Sequence, residues 1–277
     1  PQLVVITDQT IDPAPKIIEQ CKSVGASFHD VSASEPSSLD AIMDGIEYPT
    51  GCVLGWYAIL PKGFIARFDG RLFNWHCGDL PRYRGAGGYS WQVLNGETEI
   101  KAHIHAMLPK VDAGPIVLIE AEQIENISPY PEDFMRAAEK AGARAAYRFG
   151  AMVARGEPIK TSVVQREDLA EYYPKLFTPA HGFIDFSWGA VELERFVRAF
   201  SRPYPGASFR YGDDLFRVRC ARGPGPTVSD IRPRHPFTAG LIANRTLDGL
   251  YVLTRDGLLL LSDFVDAGGH AVLPDHF

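Results

Sequence analysis

The chain opens on a continuous apolar run, Leu3 to Thr7, which predicts a strand buried on both faces. Asp12-Pro13 then reads as a helix start, with Asp as N-cap and Pro in the first helical position. Ile17, Ile18, Cys21 and Val24 lie at helical spacing, and Gly25 closes the helix. Ala26 to Val31 is a second strand, Ser38 to Met43 a short helix capped by serine, and Gly51 to Trp56 a third strand. This alternation predicts an α/β fold, a Rossmann-like, doubly wound, mainly parallel sheet.

The pattern continues with a strand over Arg71 to His76, entered from the turn Asp69-Gly70, and a short helix over Gly88 to Leu94. Glu99 to Met107 and Val117 to Gln123 read as strands. Pro131 to Ala154 is a long helix whose first turn carries Glu132 and Asp133, suited to the positive helix end. Ile159 to Gln165 is expected to close the sheet, and a linker runs from Arg166 to His181. Ser187 is expected to cap a helix over Ala190 to Phe200. After Pro203 the pattern changes to short strands with hairpin turns at Gly212-Asp213-Asp214 and Arg255-Asp256-Gly257. The expected division is a catalytic domain over 1–201 and a small β-rich, OB-like domain over 202–277.

Composition narrows the classes. Apolar residues make up 45% and charged residues 22%, ordinary for a globular protein. No apolar run approaches the ~20 residues of a membrane helix, so no membrane partner is expected. The first residues lack the basic flank of a signal peptide. Cys21, Cys52, Cys77 and Cys220 have no metal-ligand spacing and are expected to be reduced thiols in a cytoplasmic protein. Net charge is −6, and residues 202–277 carry nine Arg against eight Asp, which weighs against a nucleic-acid partner. Neither a dinucleotide fingerprint nor a Walker-type loop is present.

Candidate chemistry concentrates between Asn74 and Ile116. Residues two apart on a strand share a face, so Asn74 and His76 point the same way and Trp75 the other. A loop rich in Gly, Arg and Pro follows, at the strand end where open α/β sheets bind ligands. A neutral amide donor, a titratable base and the later carboxylate of Asp112 are thereby candidates to converge on one atom. His103 and His105 alternate on one strand, but no third ligand has suitable spacing, so no metal is expected.

Asn74-x-His76, Leu80-Pro81-x-Tyr83-Arg84-Gly85, Trp91, Asn95-Gly96-Glu97, His105-x-Met107 and Asp112-x-Gly114-x-Ile116 together resemble the formyltransferases that use N10-formyltetrahydrofolate. The resemblance implies that folate is the co-substrate. It implies catalysis by Asn74, His76 and Asp112, with His105 as structural support. It also implies a pterin site on the main chain of Ala58, Ile59 and Leu60 and of Val111 and Asp112. Tyr57, Arg82, Tyr83, Arg84 and Trp91 are the candidate acceptor contacts. For Arg84 an anchoring role, bound to main-chain carbonyls, is an equal alternative. The chain departs from the family's usual wording twice: Cys77-Gly78-Asp79 follows the histidine, and Ile100-Lys101 precedes the next stretch of strand.

Within that family the expected acceptor is a nucleotide-linked amino sugar, with GDP-perosamine for O-antigen and lipopolysaccharide synthesis as the particular expectation. Methionyl-tRNA formyl transfer and hydrolysis of formyltetrahydrofolate share the same trio and remain the alternatives; a folate binder without catalysis would need no base. Edge strands of the small β domain are suited to pairing two copies in a homodimer.

Overall fold

The computed structural model describes residues 4–8, 15–31, 36–56, 58–223 and 235–277. Strand β1 (Val4–Asp8) pairs in parallel with β2 (Ser27–Val31), and helix α1 (Pro15–Ser23) connects them. Helix α2 (Pro36–Met43) starts at Pro36 rather than Ser38, a position where proline's missing N–H costs nothing. The expected cap at Asp12-Pro13 lies outside the described residues. Strand β3 (Gly51–Leu54) leads through α3 (Lys62–Ala66) to β4 (Leu72–Cys77), again parallel to β3.

Two residues, Arg84–Gly85, form β5, and α4 (Tyr89–Asn95) precedes β6 (Glu99–Ala106) and β7 (Ile116–Gln123). The sheet order is β3-β4-β6-β7. Backbone bonds Met107 N–H to Leu72 O and Gly78 N–H to Lys101 O run against each other along β4 and β6, so the parallel part of this sheet is continued by an antiparallel strand. The long helix α5 covers Pro131–Ala154 as its pattern predicts, with Phe134, Ala137, Ala138, Ala141 and Ala145 as its buried stripe.

The segment expected to add a strand at 159–165 makes a single antiparallel bridge, Val163 to Ile116. Its apolar residues do not reach the core: Val163 and Val164 are exposed. Inside the expected linker lie β8 (Tyr172–Tyr173), parallel to β5, and the turn of helix α6 (Thr178–His181).

Helix α7 (Ala190–Ala199) begins three residues after Ser187, and Ser187 does not cap it. Its N-terminal amides bond instead to Glu192 Oε2 (from Gly189 N–H, 2.9 Å) and to Asp256 Oδ1 (from Ala190 N–H, 2.8 Å). A carboxylate 66 positions away thus supplies the anion that the helix end requires, while the Ser187 amide is held by Asp185. Strands β9 (Ala207–Tyr211), β10 (Asp214–Arg222), β11 (Ile242–Thr246), β12 (Gly249–Leu253) and β13 (Leu258–Asp266) form an antiparallel sheet in the order β11-β12-β13-β10-β9, with β14 (Ala271–Val272) on β13.

The contacts divide the chain into two compact units. The first comprises Pro1–His76, His103–Leu118 and Arg148–Gln165; the second comprises Cys77–Ala102, Ile119–Tyr147 and Arg166–Phe277. The first has a small core around Phe64, Phe68, Leu60 and Leu72. In the second, Leu193, Phe196, Val197 and Phe200 pack on Val218, Leu250, Leu259 and Phe264. Among the described residues no helix is long and apolar enough to cross a membrane.

Candidate active site

The register of β4 against β6 sets Asn74 opposite His105. Asn74 Nδ2 lies 3.3 Å from His105 Nε2. The other ring nitrogen, Nδ1, is 3.0 Å from the Ala106 carbonyl oxygen, which accepts only, so Nδ1 carries the hydrogen. In the neutral ring Nε2 is therefore the acceptor, and the Asn74 amide donates to it. His105 is one of the most deeply buried polar side chains, at 2% exposure. A structural role for it was expected, and the structure makes that role specific: it fixes the amide that the sequence assigns to the oxyanion.

Asp112 stands between the two histidines. Its Oδ2 is 3.5 Å from His76 Nδ1 and its Oδ1 is 3.6 Å from His105 Nε2. The first distance exceeds a closed hydrogen bond, as is common in sites that tighten around substrate; the second sets two acceptors side by side when the His105 ring is neutral and is a contact, not a hydrogen bond. The carboxylate faces Nδ1 of His76, the ring nitrogen it is placed to orient. Asn74, His76 and Asp112 are thus brought together, as strand alternation and the later Asp predict.

The turn that carries Asp112 is unusual in its backbone. Asp112 has φ +48, in the left-handed region where a residue with a Cβ is disfavoured. Two residues on, any Cβ at Gly114 would lie 1.7 Å from the Ala106 carbonyl oxygen. Glycine is obligatory there because the turn passes directly against β6, and Ala106 N–H bonds the Pro115 carbonyl. Gln165 completes the arrangement by donating to the Asp112 carbonyl at 2.8 Å and the Gly114 carbonyl at 2.6 Å. Nothing local in the sequence around Gln165 signals this.

On the expected pterin main chain, Ile59 and Val111 are exposed while Leu60 is buried in the core of its unit. Leu54 and Leu108, in the same unit, are exposed apolar side chains as well. Of the candidate acceptor contacts, Tyr57 lies outside the described residues. Arg84 is buried and its guanidinium makes a two-pronged pair with Glu167, at 3.1 and 3.0 Å. That is an anchoring arrangement, and it includes a carboxylate side chain. Tyr83 is also buried: it stacks on Tyr173 at 4.9 Å, donates to Glu97 and accepts from Asn95. Trp91 donates to the Pro174 carbonyl. Arg82 remains half-exposed, paired with Glu97 at 2.9 Å and with Asp79 at 3.6 Å.

The two departures from the family's wording meet. Gly78 N–H bonds Lys101 O, and the Lys101 ammonium lies 3.0 Å from Asp79 Oδ1. Asp79 and Lys101, with Arg82, Glu97, Glu99 and Gln123, line an open cavity of about 350 Å³. Its surface offers paired cations and carboxylates, groups suited to hydroxyls and amines. Burial pushes the thiol of Cys77, next to Gly78 in sequence, up to about 12, against an opposing bond from Tyr89, which disfavours its thiolate at neutral pH.

The chain belongs to the formyl transferase family: residues 10–147 match the profile of the formyl transferase domain, and residues 177–277 that of the formyl transferase C-terminal domain. It is 29% identical over 239 residues to the methionyl-tRNA formyltransferase of Roseiflexus castenholzii, covering 84% of this chain and 71% of that protein. It is 28% identical to that of Myxococcus xanthus, covering 79% and 66%. Among solved structures, HypX from Aquifex aeolicus with tetrahydrofolic acid superposes with a TM-score of 0.62 at 14% identity over 98% of this chain. This chain covers 45% of HypX, a little under half its length. WlaRD, a sugar 3N-formyl transferase solved in the presence of dTDP and 5-N-formyl-THF, superposes with a TM-score of 0.63 at 17% identity, covering 94% of this chain and 86% of that one.

Proposed function

We propose that this protein transfers a formyl group from N10-formyltetrahydrofolate to the amine of a nucleotide-linked amino sugar. The observation that supports formyl-transfer chemistry is the grouping of His76 and Asp112 with Asn74, through His105, within one unit. The amine nitrogen attacks the formyl carbon and must lose a proton, which His76 accepts. The formyl oxygen becomes an oxyanion, to which the Asn74 amide donates; a comparable donor is worth ~3–4 kcal/mol. Breaking the bond to N10 requires that nitrogen to be protonated, and the imidazolium of His76 returns the proton. Asp112 orients the ring and stabilises its charged form. The pterin is held by the main chain of Ala58, Ile59 and Leu60 and of Val111 and Asp112, and the acceptor by Arg82 and Trp91 with Tyr57.

In its narrowest form the acceptor is GDP-perosamine, the product serves O-antigen synthesis, the enzyme is cytoplasmic, and 1–201 is the catalytic domain with 202–277 as its small β partner. The near balance of Arg and Asp after residue 202 supports a small acceptor over tRNA. A second reading, formylation of methionyl-tRNA, is favoured by the two methionyl-tRNA formyltransferases to which the chain is similar.

The deciding experiment incubates the protein with N10-formyltetrahydrofolate and, separately, amino sugars linked to GDP, dTDP or UDP and charged initiator tRNA. Tetrahydrofolate release is followed optically and the product by mass. Formylation of a sugar nucleotide is the expected result. Formylated methionyl-tRNA would replace the acceptor, and formate released with no acceptor would make the protein a hydrolase.

A further inference from the structure

We infer that Gln165 is a positioning residue for Asp112, an inference that rests on the catalytic reading above. One amide nitrogen carries two hydrogens, and both are aimed at the catalytic turn: to the Asp112 carbonyl at 2.8 Å and to the Gly114 carbonyl at 2.6 Å. Gln165 is buried, at 7% exposure, so these bonds form where water does not compete. They meet a turn whose backbone takes a less common conformation. Asp112 sits at φ +48, a conformation that costs of order 1–3 kcal/mol for a residue with a Cβ and persists only where its surroundings impose it. Within the turn the Ala113 amide reaches the Lys110 carbonyl only at 3.4 Å.

Further supports of the turn come from its neighbours. Gly114 lies flat against the Ala106 carbonyl, and Ala106 N–H bonds Pro115 O. Past the turn, Ile116 bonds Val163 and accepts from the Ser162 amide and hydroxyl. The segment 162–165 therefore runs beside 112–116, and Gln165 is its last member, reaching back to the residue whose side chain must face His76. Displacing the Asp112 carbonyl by rotation about φ swings the carboxylate away from His76 Nδ1, which already stands at 3.5 Å. The segment reads as a strand in sequence; its work is to clamp this turn.

The test is Gln165→Met, which keeps the length and removes both donors, measured alone and combined with Asp112→Asn, using N10-formyltetrahydrofolate and whichever acceptor the panel above identifies. The expected result is a kcat lowered at least tenfold with the acceptor KM within twofold. In the Asp112→Asn background the same change should cost less than twofold, because the group it positions is already gone. A kcat within twofold of the parent, or a full additional loss in the double variant, overturns the clamp. Should Gln165→Met not fold, Gln165→Glu keeps the shape but opposes two carbonyls once ionised; its kcat relative to the parent then falls as pH rises from 6 to 9, and a constant ratio overturns the proposal. If Asp112→Asn leaves formyl transfer intact, the reading of the site fails and the clamp falls with it.

Discussion

His105 faces Asn74 across two antiparallel strands, with 3.3 Å between Nε2 and Nδ2, and its own tautomer is set by the Ala106 carbonyl behind it. The amide that the proposed mechanism assigns to the oxyanion is therefore oriented by a buried histidine on the neighbouring strand. Replacing His105 by Phe keeps a buried ring but removes the acceptor. The Asn74 amide is then free to rotate, and kcat is expected to fall about tenfold, or ~1.4 kcal/mol in the barrier. Steady-state kinetics on a variant of unchanged melting temperature checks this.

Direct removal of the reacting groups should cost more. Asn74→Ala is expected to lower kcat by about 10²–10³ and His76→Ala by about 10²–10⁴, with folate binding retained. Near-native turnover by either variant, alongside calorimetric binding of 5-formyltetrahydrofolate, would discard the assignment.

Arg84 offers a contrast between anchoring and recognition. Its guanidinium is buried against Glu167, whose own side chain is half-exposed. Arg84→Ala is expected to destabilise the fold by about 2–3 kcal/mol, below the ~3–5 of a fully buried pair, because solvent screens the Glu167 side. The acceptor KM of the surviving folded enzyme should change less than threefold. A large KM effect with unchanged urea midpoint would mean that Arg84 binds the acceptor instead.

The meeting of Asp79 with Lys101 should bear on the acceptor and not on the chemistry. Asp79→Asn and Lys101→Met alter the charge of the cavity while leaving its walls. Each is expected to raise the acceptor KM three- to tenfold with kcat within twofold. Equal KM values in parent and variants would mean that the cavity is only a solvated ion-pair cluster.

Two partly buried thiols set an alkaline limit. Burial pushes both Cys52 and Cys77 up to about 12 from the ordinary 9.0. The folded state then holds each proton after the unfolded chain has released it. Stability is undiminished below about pH 9 and falls by ~1.4 kcal/mol per pH unit per thiol as pH rises toward 12. Urea melts at pH 8 and 10.5 should show a smaller alkaline loss in Cys52→Ala than in the parent. An identical loss would remove that thiol from the account.

Local patterns carry most of the elements. The apolar run at the start of the chain, the alternation through Asn74 and His76, and the stripe from Phe134 to Ala145 each depend on neighbours a few residues away, so periodicity alone reads them. Strand geometry fixes that Asn74 and His76 share a face, while grouping them with Asp112 as a trio is what the family resemblance implies.

What tertiary structure decided lies at long separations. Asp256 caps α7 in place of Ser187, Glu167 takes the fork of Arg84, Gln165 clamps the Asp112 turn, and His105 orients Asn74. Each joins a side chain to a group 31 to 83 positions away, and nothing in the spacing of residues specifies such a partner. A strand pattern fixes which face a residue occupies. Only the closing of the chain fixes which carbonyl or carboxylate waits on that face, because that depends on register and packing set by the whole sequence at once.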